Sequence, residues 1–310
     1  MLNKLKLVLG TLNFDYNHVS SPFNQEKVND FLEISKQNDI DEIDTAYYYK
    51  NSEKIIGNSP LKIEFKISSK ANPWYNNDFT NGKLGQLNDT GIKTQLYTSL
   101  NNLNINNLDI YYLHAWDYET DINCTLETID ELYRKEYFNK LGICNFSINQ
   151  LQNVLDVIDK NNYINVDSYQ SIYNLYNRSV EEILPLLRDN NITFYAYNPL
   201  AGGLLTGKYN NTNQVKGRYY NNKIYKDLFW NSTLVDKINQ IPNVKNLSLR
   251  WLRYNSKLLP DDRIILGAST TEQLLSNIND IKQGSLSNDT LKLIDDFRKD
   301  TLSYETNYYY

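Results

Sequence analysis

The chain has 310 residues, a formal net charge of −5 and two cysteines. This mildly acidic balance, without a stripe of basic residues, argues against nucleic acid as the main partner. The short apolar run near the N-terminus is broken by Lys4 and Lys6, so we predict neither a signal peptide nor a membrane span. Cys124 and Cys144 are too few for a disulfide framework, and we expect a cytoplasmic protein.

Short runs rich in β-branched and aromatic residues alternate with amphipathic stretches along the whole chain. The predicted strands are 6–14, 42–46, 63–70, 108–116, 140–146, 168–173, 193–200 and 263–269. The predicted helices are 26–37, 92–103, 126–135, 148–160, 181–189, 247–254 and 272–281. The longest irregular stretch is 201–232, and loops of such length are typical of functional or disordered segments.

Alternation of strand and helix predicts parallel strands, because each helix returns the chain to the start of the next strand. Eight such units can close into a (β/α)8 TIM barrel, which leaves no edge strand. The competing architecture, a doubly wound Rossmann sheet, needs a G-x-G-x-x-G turn after its first strand, where only Gly10 is present. We therefore predict an α/β chain with a single (β/α)8 barrel domain over residues 1–310.

Residues able to carry acid–base chemistry stand near the ends of three successive predicted strands. Asp44 lies near the end of the second strand, Lys70 ends the third, and His114 lies near the end of the fourth. Tyr49 follows Asp44 by five residues and would sit on the next turn, leaning back over the others. The C-terminal strand ends of a barrel share one mouth, so we predict that these four side chains converge there.

Reduction of a carbonyl group by hydride needs a proton donor for the developing alkoxide and a group that polarises the carbonyl. A free tyrosine has a pKa of about 10, but a nearby lysine ammonium favours the phenolate, and a paired aspartate would hold that amine in place. We therefore predict that Tyr49 is the acid, tuned by Lys70 and Asp44. A neutral His114 would orient the substrate oxygen and share its proton.

Each of these residues also has a purely structural interpretation. One tyrosine in a tyrosine-rich chain is more often a packing or surface residue, while Asp44 and Lys70 alone would more often form a structural ion pair. His114 follows an apolar strand, as a satisfied core histidine does. The joint location of all four at successive strand ends favours the catalytic interpretation. A histidine-rich metal site is excluded, because His18 is the only other histidine.

These residues resemble those of a known family, the aldo-keto reductases. The run D-T-A-Y-Y-Y at 44–49, the strand-end lysine and the L-H-A segment at 113–115 are similar to that family's catalytic tetrad, at Asp44, Tyr49, Lys70 and His114. The similarity is closer still to the aflatoxin B1 aldehyde reductase branch. It rests on K-A-N-P-W at 70–74, Y-N-P-L-A-G-G-L-L-T-G-K-Y at 197–209, L-R-W at 249–251 and I-L-G-A-S-T-T-E-Q-L-L-S-N at 265–277.

The resemblance implies that NADPH or NADP+ binds across the barrel mouth, with Asp44 among the residues near it. Asn145 and Gln170 match residues that hold the nicotinamide carboxamide. The family usually has serine where Cys144 stands, and a thiol is a weaker hydrogen-bonding group, so anchoring of the carboxamide would be looser.

The resemblance also implies two phosphate sites. The pyrophosphate loop matches Tyr197, Asn198, Pro199, Leu200, Gly202, Gly203 and Lys208. Its glycines let the backbone approach a phosphate closely. The adenosine 2′-phosphate site matches Arg218, Ser269, Thr270, Gln273 and Asn277. There the start of a predicted helix and a guanidinium group both favour an anion.

The departures from the family pattern concern the substrate. Members of the branch that reduce succinic semialdehyde place two arginines around the substrate carboxylate. Leu228 and Tyr310 stand at those positions here, and neither pairs with a carboxylate as arginine does. We therefore predict neutral or aromatic carbonyl substrates. The predicted pocket is lined by Tyr49, His114, Trp74, Trp116, Tyr225, Trp230 and Tyr310. For Trp116 and Trp230, ordinary packing is an equally good interpretation.

Three alternative functions use the same sequence features. An alcohol dehydrogenase working in the oxidative direction needs the same residues. The identity of its cofactor would distinguish it from a carbonyl reductase. A regulatory, cofactor-sensing subunit of the same fold is less well supported, because no long extra N-terminal segment or interaction tail is evident. A non-catalytic barrel conflicts with the intact tetrad. We expect a small carbonyl compound as partner, no metal, nucleic acid or membrane, and a monomer or homodimer.

Overall fold

The computed structural model describes residues 5–15, 23–209, 219, 226 and 230–306. Its eight parallel strands close into a barrel in chain order, and the first strand pairs with the eighth. The strands are β1 (Lys6–Gly10), β2 (Glu42–Asp44), β3 (Lys66–Ala71), β4 (Leu108–Leu113), β5 (Phe138–Cys144), β6 (Val166–Ile172), β7 (Thr193–Tyr197) and β8 (Arg263–Leu266). The predicted (β/α)8 barrel is confirmed.

The α-helices of the described ranges follow the strands and pack around them. They are α1 (Gln25–Gln37), α2 (Ser52–Gly57), α3 (Asp89–Leu103), α4 (Ile122–Arg134), α5 (Ile148–Asn161), α6 (Leu184–Asp189), α7 (Ser232–Asn239), α8 (Val244–Tyr254), α9 (Thr271–Ile281) and α10 (Asn288–Thr301). Several begin at a polar side chain that accepts a first-turn amide, and α5 has a complete capping box between Ser147 and Gln150. Within the described ranges, no helix is both long and apolar enough to cross a membrane.

Alternation along the strands sends one set of side chains into the barrel and the other towards the helices. Val8, Ile110, Tyr112, Cys144, Tyr195 and Ile265 form the inner apolar cluster. Tyr112 has room there because its neighbour on β5 is Gly142. A Cβ atom on Gly142 would lie 2.2 Å from the Tyr112 ring, so a larger residue would displace the ring from the centre of the barrel.

The structure corrects the predicted ends of several elements. The apolar character of a strand continues into the following loop, so β1 was expected to reach residue 14, whereas Leu12–Asp15 form a 3-10 helix. The third strand was expected from Ile63, but Pro60–Glu64 form a 3-10 helix in which Ile63 is 83% exposed. The predicted helix 181–189 is divided in two. A 3-10 helix ends at Glu182, and α6 begins separately at Leu184, with Pro185 in its first turn. Helices α2, α7 and α10 were not predicted.

Candidate active site

Lys70 and Asp44 form a buried ion pair at the C-terminal mouth of the barrel. Lys70 Nζ donates to Asp44 Oδ2 at 2.5 Å and to the carbonyl oxygen of Thr45 at 2.7 Å. Lys70 is fully buried and Asp44 is 5% exposed. Asp44 Oδ2 also accepts from Gln170 Nε2 at 2.8 Å. The carboxylate therefore has a charged and a neutral donor, which hold it in one orientation.

Tyr49 and His114 lie beside this ion pair. Lys70 Nζ is 5.4 Å from the centre of the Tyr49 ring, and it is equally far from the centre of the Tyr112 ring. The rings of Tyr49 and His114 meet edge to face with their centres 5.9 Å apart. The backbone N–H of His114 donates to the carbonyl of Ala71 at 2.7 Å, which fixes the end of β4 against β3. The structure thus brings the four residues of the predicted tetrad together.

Two buried residues without a marked sequence pattern hold the turn that carries Tyr49. Ser52 Oγ donates to Thr11 Oγ1 at 2.9 Å, which ties the start of α2 to the end of β1. Glu53 Oε1 accepts from Ser69 Oγ at 2.6 Å, which ties the same turn to β3. Burial raises the pKa of Glu53, and the hydrogen bond from Ser69 opposes that shift. Their partners are distant in the chain, so no local motif marks either residue.

Asn145 directly follows β5 and has a φ of 60°, a left-handed conformation that asparagine tolerates. Its Nδ2 donates to the carbonyl of His114 at 3.0 Å, and its Oδ1 accepts from the Tyr197 hydroxyl at 2.8 Å. The preceding Cys144 instead packs in the inner apolar cluster, where burial raises the pKa of its thiol. Of the residues predicted around the carboxamide, Asn145 and Gln170 therefore belong to the polar network of the mouth.

The predicted pyrophosphate loop combines two glycines in left-handed conformations with a lysine side chain. Gly202 and Gly203 have φ values of 62° and 99°, and the amide of Gly202 donates to Asn198 Oδ1 at 2.6 Å. A Cβ atom on Gly203 would lie 3.3 Å from both Cε and Nζ of Lys208. The exposed side chain of Lys208 therefore lies directly against the backbone of Gly203. Because the amide of Gly203 also donates within the loop, to the Leu200 carbonyl at 2.8 Å, the lysine ammonium is the group here that fits a phosphate.

The predicted 2′-phosphate site lies at the start of α9, which begins one residue earlier than expected. Thr270 is its N-cap, and its Oγ1 accepts from the amide of Gln273 at 3.2 Å. The side chain of Gln273 in turn accepts from the amide of Ser269 at 3.0 Å. Asn277, one turn further along, is buried. These contacts order the helix start, while Arg218 lies outside the described residues.

The predicted substrate pocket is aromatic where the structure describes it. The Trp74 ring lies 5.2 Å from the centre of the His114 ring and 4.9 Å from that of Tyr48. Phe79 contacts the same tryptophan at 5.2 Å. Tyr48 and Phe79 were not predicted, because one of three consecutive tyrosines and a loop phenylalanine give no pattern. Trp74, by contrast, was predicted for the pocket, and its ring lies beside that of His114.

The other aromatic residues predicted for the pocket have different surroundings. Trp116 is partly buried and packs on Phe146, with ring centres 5.3 Å apart. Trp230 packs on Tyr209 and Tyr219 at 5.5 and 5.4 Å, and among the described residues no ring contact joins it to His114. The remaining positions of this prediction, Tyr225, Leu228 and Tyr310, lie outside the described residues.

The surroundings of His114 predict a pH dependence of stability. Burial, assisted by the Lys70 charge, lowers the pKa of the folded imidazole well below its ordinary value of about 6.5. Below about pH 6.5, His114 of the unfolded chain binds a proton that the buried His114 of the folded chain does not, so acid favours unfolding. From this group we expect the unfolding free energy to fall towards pH 5 by up to about 1.4 kcal/mol per pH unit.

Urea unfolding of the wild type and of His114→Gln, measured from about pH 5 to pH 8, checks this expectation. The variant keeps every other titratable group, so the difference between the two slopes belongs to His114. A wild-type curve that is steeper below pH 6.5 supports a neutral imidazole in the folded protein. Parallel curves would show that His114 titrates alike in both states.

The model of the aldo/keto reductase family matches residues 6–299. The chain belongs to this family. This aldo/keto reductase is 35% identical to aflatoxin B1 aldehyde reductase member 2 of Homo sapiens, over 90% of the chain and 82% of that protein. It is also 35% identical to aflatoxin B1 aldehyde reductase member 4 of Homo sapiens, over 79% of the chain and 80% of that protein.

A solved structure agrees with the fold. The glycerol dehydrogenase from Gluconobacter oxydans superposes with a TM-score of 0.72 at 23% sequence identity, over 96% of this chain and 92% of that one. The predicted resemblance to the aldo-keto reductases and their aflatoxin B1 aldehyde reductase branch is confirmed. As an aldo/keto reductase, the protein is an oxidoreductase of small carbonyl compounds, in a family that uses nicotinamide cofactors.

Proposed function

We propose that this aldo/keto reductase uses NADPH to reduce neutral or aromatic aldehydes and ketones to alcohols, with Tyr49 as the proton donor. One observation carries the proposal: the ammonium of the buried Asp44–Lys70 pair lies 5.4 Å from the centre of the Tyr49 ring, and that ring contacts His114. When bound, the cofactor supplies the hydride. The chain supplies a proton, a hydrogen bond that polarises the substrate carbonyl, and a pocket lined by aromatic side chains.

Each residue of the tetrad has a distinct task in this proposal. Tyr49 gives its phenolic proton to the carbonyl oxygen as negative charge develops there. The Lys70 ammonium stabilises the phenolate left behind, because opposite charges attract strongly in a buried site. Asp44 orients that ammonium. Neutral His114 donates a hydrogen bond to the carbonyl oxygen, which polarises the bond before reduction.

The proposed cofactor is NADPH or NADP+ because the chain offers cationic and N–H groups for the phosphates. Lys208 beside Gly203 would hold the pyrophosphate, with the backbone of Tyr197, Asn198, Pro199, Leu200 and Gly202 completing the loop. The start of α9 and the Arg218 guanidinium would hold the 2′-phosphate, which only NADPH carries. Asn145 and Gln170, next to Cys144, would hold the carboxamide.

The setting proposed for the enzyme is the cytoplasm, where it would work as a monomer or homodimer. Cys124 lies on the surface and Cys144 in the interior of the barrel, so the two thiols are separate from each other. Reduced cysteines are typical of cytoplasmic proteins.

Oxidation of NADPH in the presence of single aldehydes tests the function. We expect kcat/KM for a neutral aromatic aldehyde such as 4-nitrobenzaldehyde to exceed that for succinic semialdehyde by about tenfold or more, because Leu228 and Tyr310 cannot pair with a carboxylate. NADH at the same concentration should support slower turnover. A preference for succinic semialdehyde would overturn the substrate proposal, and a preference for NADH would overturn the cofactor proposal.

A further inference from the structure

Asp117 is a buried carboxylate in the loop that follows β4, and its donors come from two different loops. It is 5% exposed. Oδ1 accepts from the backbone N–H groups of Gly85 at 2.9 Å and Glu119 at 3.1 Å. Oδ2 accepts from the N–H of Leu87 and from the hydroxyl of Thr120, both at 2.9 Å. The carboxylate therefore joins the loop after β3, residues 72–88, to the loop after β4, residues 114–121.

The 72–88 loop is braced at its base and carries one wall of the substrate pocket. The side chain of Gln95 accepts from the Asn72 N–H at 2.9 Å and donates to the Asn72 carbonyl at 3.0 Å. Asn72 Oδ1 accepts from the N–H of Trp74 at 3.0 Å. Trp74 in turn lies against His114. The loop is thus a fixed support whose far end, at residues 85–87, is held by Asp117.

The 114–121 loop carries His114, which lies against Trp74, and Trp116, which packs on Phe146 and directly precedes Asp117. The two loops are in close contact, since a Cβ atom on Gly85 would lie 3.6 Å from that of Glu119. Gly85 has a φ of 106°, which a residue with a side chain would adopt only with strain. The spacing between the loops is therefore determined where Asp117 binds them.

We propose that Asp117 is a positioning residue that fixes the spacing between the loop that carries Trp74 and the loop that carries His114, and so favours flat aromatic carbonyl substrates over short aliphatic ones. The proposal rests on the proposed function. A carboxylate accepts hydrogen bonds at both oxygens, whereas an asparagine amide accepts at one and would point its NH2 group at other donors. Asp117→Asn keeps the size of the side chain and removes half of the connection.

The test compares Asp117→Asn with Asp121→Asn, which removes the same charge from the same loop. Asp121 is the exposed N-cap of α4 and accepts from the N–H of Asn123 at 2.9 Å. We expect Asp117→Asn to raise KM for 4-nitrobenzaldehyde about tenfold and to leave both KM and kcat for butanal within about twofold. Thr120→Val, which deletes one donor, should give a smaller rise in KM. Asp121→Asn should behave as wild type.

Equal KM changes in Asp117→Asn and Asp121→Asn, or a fall in kcat for butanal in proportion to the rise in KM, would overturn the proposal. Hydrogen exchange of peptides covering residues 83–90 gives a second readout that does not depend on activity. Exchange there should be faster in Asp117→Asn and unchanged in Asp121→Asn, and unchanged exchange in both would also overturn it. A wild-type protein that turns over neither aldehyde refutes the proposed function, while the exchange comparison still decides whether Asp117 joins the loops.

Discussion

Replacement of Tyr49 by phenylalanine is expected to lower kcat by about 10²–10⁴-fold, the usual contribution of a general acid. The substitution removes the phenolic proton and leaves a ring of the same shape against Lys70 and His114. The cofactor-binding residues proposed above are untouched, so the dissociation constant for NADPH should stay within about twofold. Steady-state turnover of 4-nitrobenzaldehyde, together with quenching of protein fluorescence by NADPH, measures the two quantities.

Tyr48→Phe is the matched control, since it makes the same chemical change one residue earlier. Tyr48 packs on Trp74, with ring centres 4.9 Å apart, so we expect its loss to act on KM more than on kcat. If Tyr49→Phe kept wild-type turnover, the proton would have to come from another group. If both variants lost turnover to the same extent, disturbance of the 47–49 turn would explain the result better than loss of the acid.

Lys70→Met is expected to have the second large effect, on turnover and stability together. Asp44 is 5% exposed and accepts hydrogen bonds from Lys70 and Gln170. In the variant, Gln170 is the one of these two donors that remains. Removing one partner of a buried ion pair typically costs about 3–5 kcal/mol of unfolding free energy. Because the phenolate of Tyr49 would also lose its cation, kcat should fall by about 10²-fold or more. Urea unfolding and steady-state kinetics report the two effects separately.

The double variant Asp44→Asn/Lys70→Met separates charge burial from catalysis. It removes the uncompensated carboxylate, so we expect it to recover much of the stability that Lys70→Met loses. Its turnover should remain as low as that of the single variant. Recovery of turnover along with stability would mean that Lys70 supports the fold and has no part in the chemistry.

The barrel, and the meeting of four polar and aromatic side chains at its mouth, were predictable because both depend on patterns that are local in the chain. Strands such as β1, β4, β7 and β8 are short apolar or aromatic runs, and Asp44, Lys70 and His114 stand at or next to the ends of β2, β3 and β4. The ends of the elements were less predictable. Ile63 has the residue type of a strand, yet it is an exposed residue of a 3-10 helix, since Pro60 and the Ser59 cap favour a turn there.

The supporting residues could not be predicted, because their roles depend on partners far away in the chain. The Leu87–Asp117 hydrogen bond spans 30 residues, and the one between Asn102 and Glu53 spans 49. Acidic residues in such positions usually lie in solvent, and nothing in their neighbours indicates otherwise. Only the folded barrel shows that Asp117 and Glu53 accept hydrogen bonds between elements.

The hydrogen bond from Gln170 to Asp44 spans 126 residues and joins β6 to β2. In a ring of eight strands taken in chain order, these two stand opposite each other, so the bond crosses the interior of the barrel. During synthesis on the ribosome, Asp44, Tyr49, Lys70 and His114 all emerge well before Gln170. The aspartate acquires its second donor only when the later half of the barrel has joined the earlier half. The hydrogen bonding of this buried carboxylate is therefore completed only late in the biogenesis of this protein.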